Sequence, residues 1–226
     1  MDEHNKACFK ANAMETIENL KKNQITAYYV EDKQQAVQKV TSLLKAGETV
    51  SVGGSMTLFE TGIIDLLRNG TYKFLDRYEK GLTKDQVNEI YRKSFYADTY
   101  LASANAVTRH GEILEVDGNG NRVAAITWGP KQVILVVGIN KITQDLSSAV
   151  ERVKNIATPS NTRRLKVDTF CMKHGHCISP YCDAHNLMAL SAGSCPDSIC
   201  SISTVFSHQL HAGRIKVIIV GEQLGY

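Results

Sequence analysis

The hydrophobic positions of this chain follow two alternating periods, and the clearest strands gather between residues 97 and 142. Residues 132–137 read QVILVV, apolar on both faces as a central buried strand requires, and Gly138 closes the run. Residues 99–104 form a shorter apolar run. Residues 112–116 and 122–126 flank Asp117-Gly118-Asn119-Gly120-Asn121, whose Gly and Asn tolerate positive φ, so the pattern predicts a β-hairpin.

From the beginning of the chain, Phe9, Ala13, Ile17 and Leu20 recur at three- and four-residue spacing and predict a helix over 7–22. A strand is expected at 26–30. Asp32 is placed to cap a helix over 33–45 with Ala36, Val37, Val40 and Leu44 inward, and Gly47 stops it. A strand at 49–52 leads through Gly53-Gly54-Ser55-Met56-Thr57 into a helix reaching about residue 68. A strand at 72–75 and a helix at 83–96 follow. Beyond Ile142, Asp145 or Ser147 begins a helix carrying Ala149, Val150, Val153 and Ile156. Thr158-Pro159 is expected to break it, with a further helical turn at 161–165. The last buried strand is IKVIIV, 215–220. Strands alternating with helices predict an α/β fold with a largely parallel sheet and helices on both faces, plus a small β-hairpin. One domain is expected, with 1–24 a helical N-terminal extension and 171–200 a cysteine-rich loop insert.

Composition narrows the partners. A net charge of +3 on 226 residues, with no basic cluster interleaved with aromatics, argues against nucleic acid. Arg163-Arg164 is the only adjacent arginine pair, and a solvated helix face accounts for it. No run is long and apolar enough to span a bilayer, and the first residues lack a signal-peptide core. A cytoplasmic location is therefore expected, where six cysteines serve more readily as thiols or metal ligands than as disulfides.

Three places can carry chemistry. Gly53 and Gly54 follow a strand and precede a helix, so backbone N–H groups there can approach an anion, with Ser55 and Thr57 adding hydroxyls. Polar residues also collect where other strands stop: Asn105, Thr108, Asn121, Asn140 and Lys141. Ligands bind at strand ends in open α/β sheets, so the Gly53–Thr57 turn and these strand ends are expected to line one pocket. The second place is the cysteine segment, where Cys171, Cys177, Cys182, Cys195 and Cys200 are spaced C-x5-C-x4-C-x12-C-x4-C among His174, His176 and His185. Crowded thiolates suit zinc or an iron–sulfur cluster, although the C-x2-C knuckle is lacking, and reduced thiols or disulfides remain alternatives. The third is Glu60, with Asp117 and Glu222, as a carboxylate acid–base or nucleophile. Nothing in the spacing pairs them, and a surface role is the competing account.

Taken together, GGSMTLFETGI (53–63), SANAVTRHGEILEVDGNGNRVAAITWGPKQVILVVGINKI (103–142), ATPSNTRRL (157–165) and VIIVGEQLGY (217–226) resemble the lactate-utilisation (LUD) domain family, lactate utilisation protein C type. The resemblance implies a Rossmann-like sheet akin to the sugar-isomerase and CoA-transferase superfamily. It also implies a link to proteins that oxidise L-lactate to pyruvate with iron–sulfur partner subunits. One branch of the family carries C-x5-C-x2-C followed by S-P-x-R-I-C. Cys171 and Cys177 match its first pair, and Cys195-Pro196-Asp197-Ser198-Ile199-Cys200 matches its last motif. Cys182 falls two residues late, Cys195 stands for Ser and Ser198 for Arg. The ligand set implied is Cys171, Cys177, Cys182 and Cys200, with Cys195 as alternative.

The leading expectation is a protein of lactate or small hydroxy-acid redox metabolism that binds a small anionic substrate at the strand ends. A non-enzymatic accessory or regulatory subunit with a structural zinc or a docking segment competes with it. So does an acyl- or CoA-handling enzyme using Glu60, by superfamily analogy alone.

Overall fold

The computed structural model describes residues 2–178, 195 and 197–226. In chain order its strands are β1 (Thr26–Val30), β2 (Thr49–Val52), β3 (Lys73–Leu75), β4 (Thr99–Ala102), β5 (Ala106–Thr108), β6 (Ile113–Asp117), β7 (Gln132–Gly138), β8 (Ile142–Thr143), β9 (Ile202–Phe206) and β10 (Ile215–Val220). The helices are α1 (Glu3–Lys22), α2 (Lys33–Leu43), α3 (Met56–Glu60), α4 (Ile63–Leu67), α5 (Lys84–Lys93), α6 (Asn121–Thr127), α7 (Leu146–Arg152), α8 (Thr158–Leu165) and α9 (Phe170–His174).

Among the described residues, six strands form a wholly parallel sheet in the order β1-β10-β7-β4-β2-β3. Side chains alternate across it, so each central strand feeds two cores. Val133, Leu135, Val137, Val217 and Ile219 point to one side, where Ala13, Ile17 and Leu20 of α1 cover them. Ile134, Val136, Ile218 and Val220 point to the other, against Ala36 and Val40 of α2 and Leu58, Ile63 and Leu67 of α3 and α4. Burial on both faces is why β7 from Val133 and β10 from Val217 run apolar to their ends.

A smaller sheet, β8-β5-β6-β9, lies on the α1 side of the first, where Val107, Ile113 and Phe206 join that core. Its opposite face, Ala106, Leu114 and Val116, packs on Ala149, Val150 and Val153 of the α7 region. Helix starts follow the expected chemistry. Asp32 accepts from the backbone N–H of Gln35 at 2.8 Å, and Asp145 from that of Ser148 at 2.8 Å. Thr83 and Gln86 close a capping box at the start of α5.

Three expectations are corrected. A small β-hairpin is present, but β5 and β6 form it; the second arm expected at 122–126 is part of helix α6. Gly120, at φ +80°, leads into α6, and the Asp117 carboxylate accepts from the N–H groups of Arg122 and Val123. A Gly-rich turn serves either outcome, and seven residues are too few for periodicity to separate them. The helix expected to reach residue 68 is divided by Gly62, at φ +81°, into α3 and α4.

The third correction concerns Pro159, which does not break the chain's helical course. α7 continues through a π-helical turn, Val153–Ala157, directly into α8, with Pro159 in the first turn of α8. Proline lacks an N–H, and a π turn loosens the backbone ladder at the point where that bond would be missing. The Lys154 carbonyl in this turn accepts instead from the Cys177 N–H at 3.0 Å.

Gly111 marks where α1 meets the smaller sheet. Its φ is +84°, and an added Cβ would lie 2.7 Å from the Asn19 carbonyl carbon and the Leu20 nitrogen. Gly111→Ala is expected to destabilise the protein by about 2–3 kcal/mol, combining the left-handed φ with a clash against backbone that cannot swing aside. Urea denaturation measures this; a loss below about 0.5 kcal/mol would mean that α1 is not held against this turn.

Candidate functional site

Parallel strands all deliver their C-terminal ends to one edge, and there the loops after β2, β3, β4 and β7 enclose a cleft of about 220 Å³. Gly54 and Ser55 follow β2, Arg77 follows β3, Ser103 and Asn105 follow β4, and Lys141 follows β7. The smaller sheet and α6 add Asp117, Asn121 and Arg122, and α8 adds Arg164.

The expected ligand-binding residues, Thr108 apart, divide between this cleft and its support. Gly54, Ser55, Asn105, Asn121 and Lys141 line it. Thr57 is buried directly behind, bonded to the Lys141 amine. Gly53 is packed so that a Cβ would sit 3.0 Å from the Tyr100 hydroxyl and 3.1 Å from Arg122 Cγ. At Gly54 a Cβ would meet only Arg77 Nη1 at 3.9 Å, and neither glycine has a positive φ. Asn140 supports from outside: its amide donates to the Gly225 carbonyl and accepts from the Leu224 N–H. Thr108 is not at the cleft, and its hydroxyl bonds Glu112 within the turn after β5. Glu60 is absent from the lining too, accepting from the Gly225 N–H at 2.7 Å.

Lys141 is 2% exposed although it borders the cleft. Its Nζ donates to Ser103 Oγ at 3.0 Å, Thr57 Oγ1 at 3.2 Å and the Ala104 carbonyl at 3.3 Å. Among the described residues, no carboxylate lies within ion-pair distance of it. Burial lowers its pKa to about 7, and the Arg152 guanidinium acts in the same direction. Arg152 is itself buried, donating to the carbonyls of Asn140 and Asn105, and burial lowers it to about 10.

Glu115 is fully buried beside the cleft. Among the described residues, neither of its oxygens accepts a hydrogen bond, although Arg122 Nη2 lies 3.3 Å from Oε2. That nitrogen is directed at the Val116 carbonyl (2.6 Å) and Asn105 Oδ1 (3.1 Å). Burial raises the Glu115 pKa to about 7 against the opposing pull of Arg122. The cleft therefore offers Arg77, Arg122, Lys141 and Arg164, with Asp117 the only carboxylate among the described lining residues.

Sequence reasoning passes over most of these cations. Arg122 lies in the expected hairpin arm, Arg77 carries no local motif, and Arg164 reads as half of a solvated pair. Arg164 is exposed and also borders the cleft. Ser103, Arg122 and Arg164 all fall within the segments that carry the family resemblance, which is the signal available for them.

A second, small apolar pocket adjoins the cleft. Cys171, Cys177, Cys195 and Cys200 line it together, and Thr158, Ile199 and Cys200 border both spaces. Thr162 and Thr169 hydroxyls lie 3.6 and 3.2 Å from Cys171 Sγ, and Thr158 Oγ1 lies 3.5 Å from Cys200 Sγ. Burial raises the thiols of Cys195 and Cys200. Cys182 and His185 lie outside the described residues. Among the described residues, no three His, Cys, Asp or Glu side chains are gathered into a set that can hold a metal ion. Cys8 is exposed and remote in sequence.

Comparison with known proteins places this architecture. A family model described as LUD domain matches residues 13–220. A crystal structure of a DUF162 family protein from Deinococcus radiodurans aligns over 95% of this chain and 98% of its own, with TM-score 0.50 and 16% identity. A ribose 5-phosphate isomerase from Plasmodium falciparum aligns over 50% of this chain and 52% of its own, with TM-score 0.32 and 14% identity. No protein of curated function matches the chain. No helix among the described residues is long and apolar enough to cross a membrane.

Glu115 gives the site a measurable pH signature. A carboxyl raised from 4.5 to about 7 keeps its proton in the folded chain where the unfolded chain has lost it. Its contribution to stability is therefore whole below the unfolded value and is lost as pH rises to the folded one. Glu115→Gln removes the titration, so the variant is expected to gain on the order of 1–3 kcal/mol relative to wild type between about pH 4.5 and pH 7. Urea midpoints across that range check this. A constant difference would mean that Glu115 is ionised and paired throughout.

Proposed function

The chain belongs to the LUD domain family, and from that premise we propose that it serves the redox metabolism of L-lactate or a related small hydroxy acid, binding the acid in the cleft at the strand ends. Family membership supports a role related to lactate utilisation. The observation that carries the ligand class is the convergence of Arg77, Arg122, Lys141 and Arg164 on one cleft. Guanidinium groups match a carboxylate in shape and charge, and the neighbouring Ser103 and Asn105 can bond a hydroxyl or carbonyl oxygen.

The cysteine pocket supports the redox half of this proposal. Its thiols are soft donors of the kind that hold zinc or iron–sulfur, and Cys171, Cys177, Cys195 and Cys200 would be the ligands among the described residues. Side-chain movement is required, since these thiols are not yet gathered as a ligand shell. Iron–sulfur bound there would supply an electron acceptor or donor next to the cleft, with iron–sulfur partner subunits as the onward carriers. Zinc would supply structure alone, as an accessory-subunit role requires. A catalytic Glu60 has no comparable support, because that carboxylate is tied to Gly225 outside the lining.

Titration calorimetry with L-lactate and with pyruvate tests the anion site. Arg77→Gln and Arg164→Gln are each expected to weaken binding about tenfold, and added salt to weaken it further. Failure of both acids to bind the wild-type protein would overturn the proposal. For the cysteine pocket, protein purified without oxygen is expected to contain iron or zinc, and to lose it on Cys171→Ser or Cys200→Ser. Metal-free protein would leave these four as plain thiols.

A further inference from the structure

We propose that Lys141 is a nucleophilic amine, which condenses with the carbonyl carbon of a 2-oxo carboxylic acid in the cleft to form a reversible imine. This rests on the reading of the cleft as a carboxylic-acid site and adds covalent chemistry to it. The geometry that points to it is a lysine at the inner wall of a cleft with no carboxylate against it among the described residues. Its stem is buried, and its amine is aimed by two hydroxyls and one carbonyl. A lysine that only balanced charge would sit against a carboxylate. This one has Arg152 and Arg122 as cationic neighbours, and the pull of Glu115 and Glu60 does not offset burial and Arg152.

Burial and the Arg152 guanidinium favour the neutral amine, the form with a free electron pair. It keeps two N–H donors, so one hydroxyl, Ser103 or Thr57, then donates to the nitrogen and turns away when the electron pair attacks. At neutral pH a lysine lowered to about 7 is roughly half unprotonated. An ordinary lysine is unprotonated in on the order of one part in a thousand. In the condensation the Nζ electron pair adds to the carbonyl carbon. Both N–H hydrogens of the amine then leave with the former carbonyl oxygen as water, and a C=N bond remains. No oxidant is consumed. Ser103 Oγ, 3.0 Å from Nζ, is placed to pass protons between nitrogen and the departing oxygen. Arg122 and Arg164 line the same cleft and would hold the carboxylate of the acid.

The test uses pyruvate as probe and cyanoborohydride as trap at neutral pH. The expected result is an intact-mass increase equal to pyruvic acid less one oxygen atom. Peptide mapping should place it on Lys141 with at least about tenfold preference over exposed lysines such as Lys131. L-Lactate, which has no carbonyl, should give no adduct. Lys141→Arg removes the nucleophilic amine and should abolish the adduct on that peptide while exposed lysines keep their background labelling. Should that variant fail to fold, the wild-type peptide map alone decides. Pyruvate that binds by calorimetry but leaves no adduct at Lys141 would overturn the imine and spare the anion site. Absence of both binding and adduct would overturn the two together.

Discussion

Six parallel strands can end on only one edge, and that constraint organises everything else in this molecule. Residues far apart in sequence, Ser55, Arg77, Asn105 and Lys141, meet because each follows a strand of the same sheet. The pairing of β4, β7 and β10 is held by burial on both faces, with Leu101, Ile134, Leu135, Ile218 and Ile219 free of solvent. Each such side chain contributes about 1.5–3 kcal/mol when removed from water. The loops at the edge inherit a rigid base from this core and need little order of their own.

That rigidity makes the charges at the edge possible. Lys141, Arg152 and Glu115 are buried where an isolated charge is costly, and a softer scaffold would let them move to water. All three shift toward neutrality, Glu115 upward and the two bases downward. Arg122 lies between the smaller sheet and the cleft, bonded to Asn105 and Val116 and close to Glu115 and Asp117. The positive character of the cleft rests on Arg77, Arg122 and Arg164, against the single carboxylate of Asp117 among the described lining residues.

The cysteine pocket depends on a different device. The π-helical turn at Val153–Ala157 admits Pro159 into a continuous helix and leaves the Lys154 carbonyl to accept from Cys177. Thr158 and Thr162, one turn apart on α8, then face Cys200 and Cys171. A helix that ended at Thr158 would place neither threonine beside its cysteine. One proline thus ties the course of this helix to the shape of the thiol pocket.

Periodicity and capping chemistry already carry the parallel sheet. The apolar runs Val133–Val137 in β7 and Val217–Val220 in β10 admit few other roles, and Asp32 and Asp145 cap helices through interactions only three residues long. The turn after β2 and the polar strand ends Asn105 and Lys141 are legible too, because a parallel sheet has one functional edge. Short elements escape: β5, β8 and α6 are too brief to show a period, and they form because the larger core and Asp117 hold them. The cationic character of the cleft is invisible for a related reason. Arg77, Arg122 and Arg164 are separated by tens of residues and mark no motif. Whether Thr108 or Arg122 faces the cleft depends on how the second sheet lies against the first. A sequence records which side chains can carry charge; only the folded backbone decides which of them share a space, and with it their solvation and chemistry.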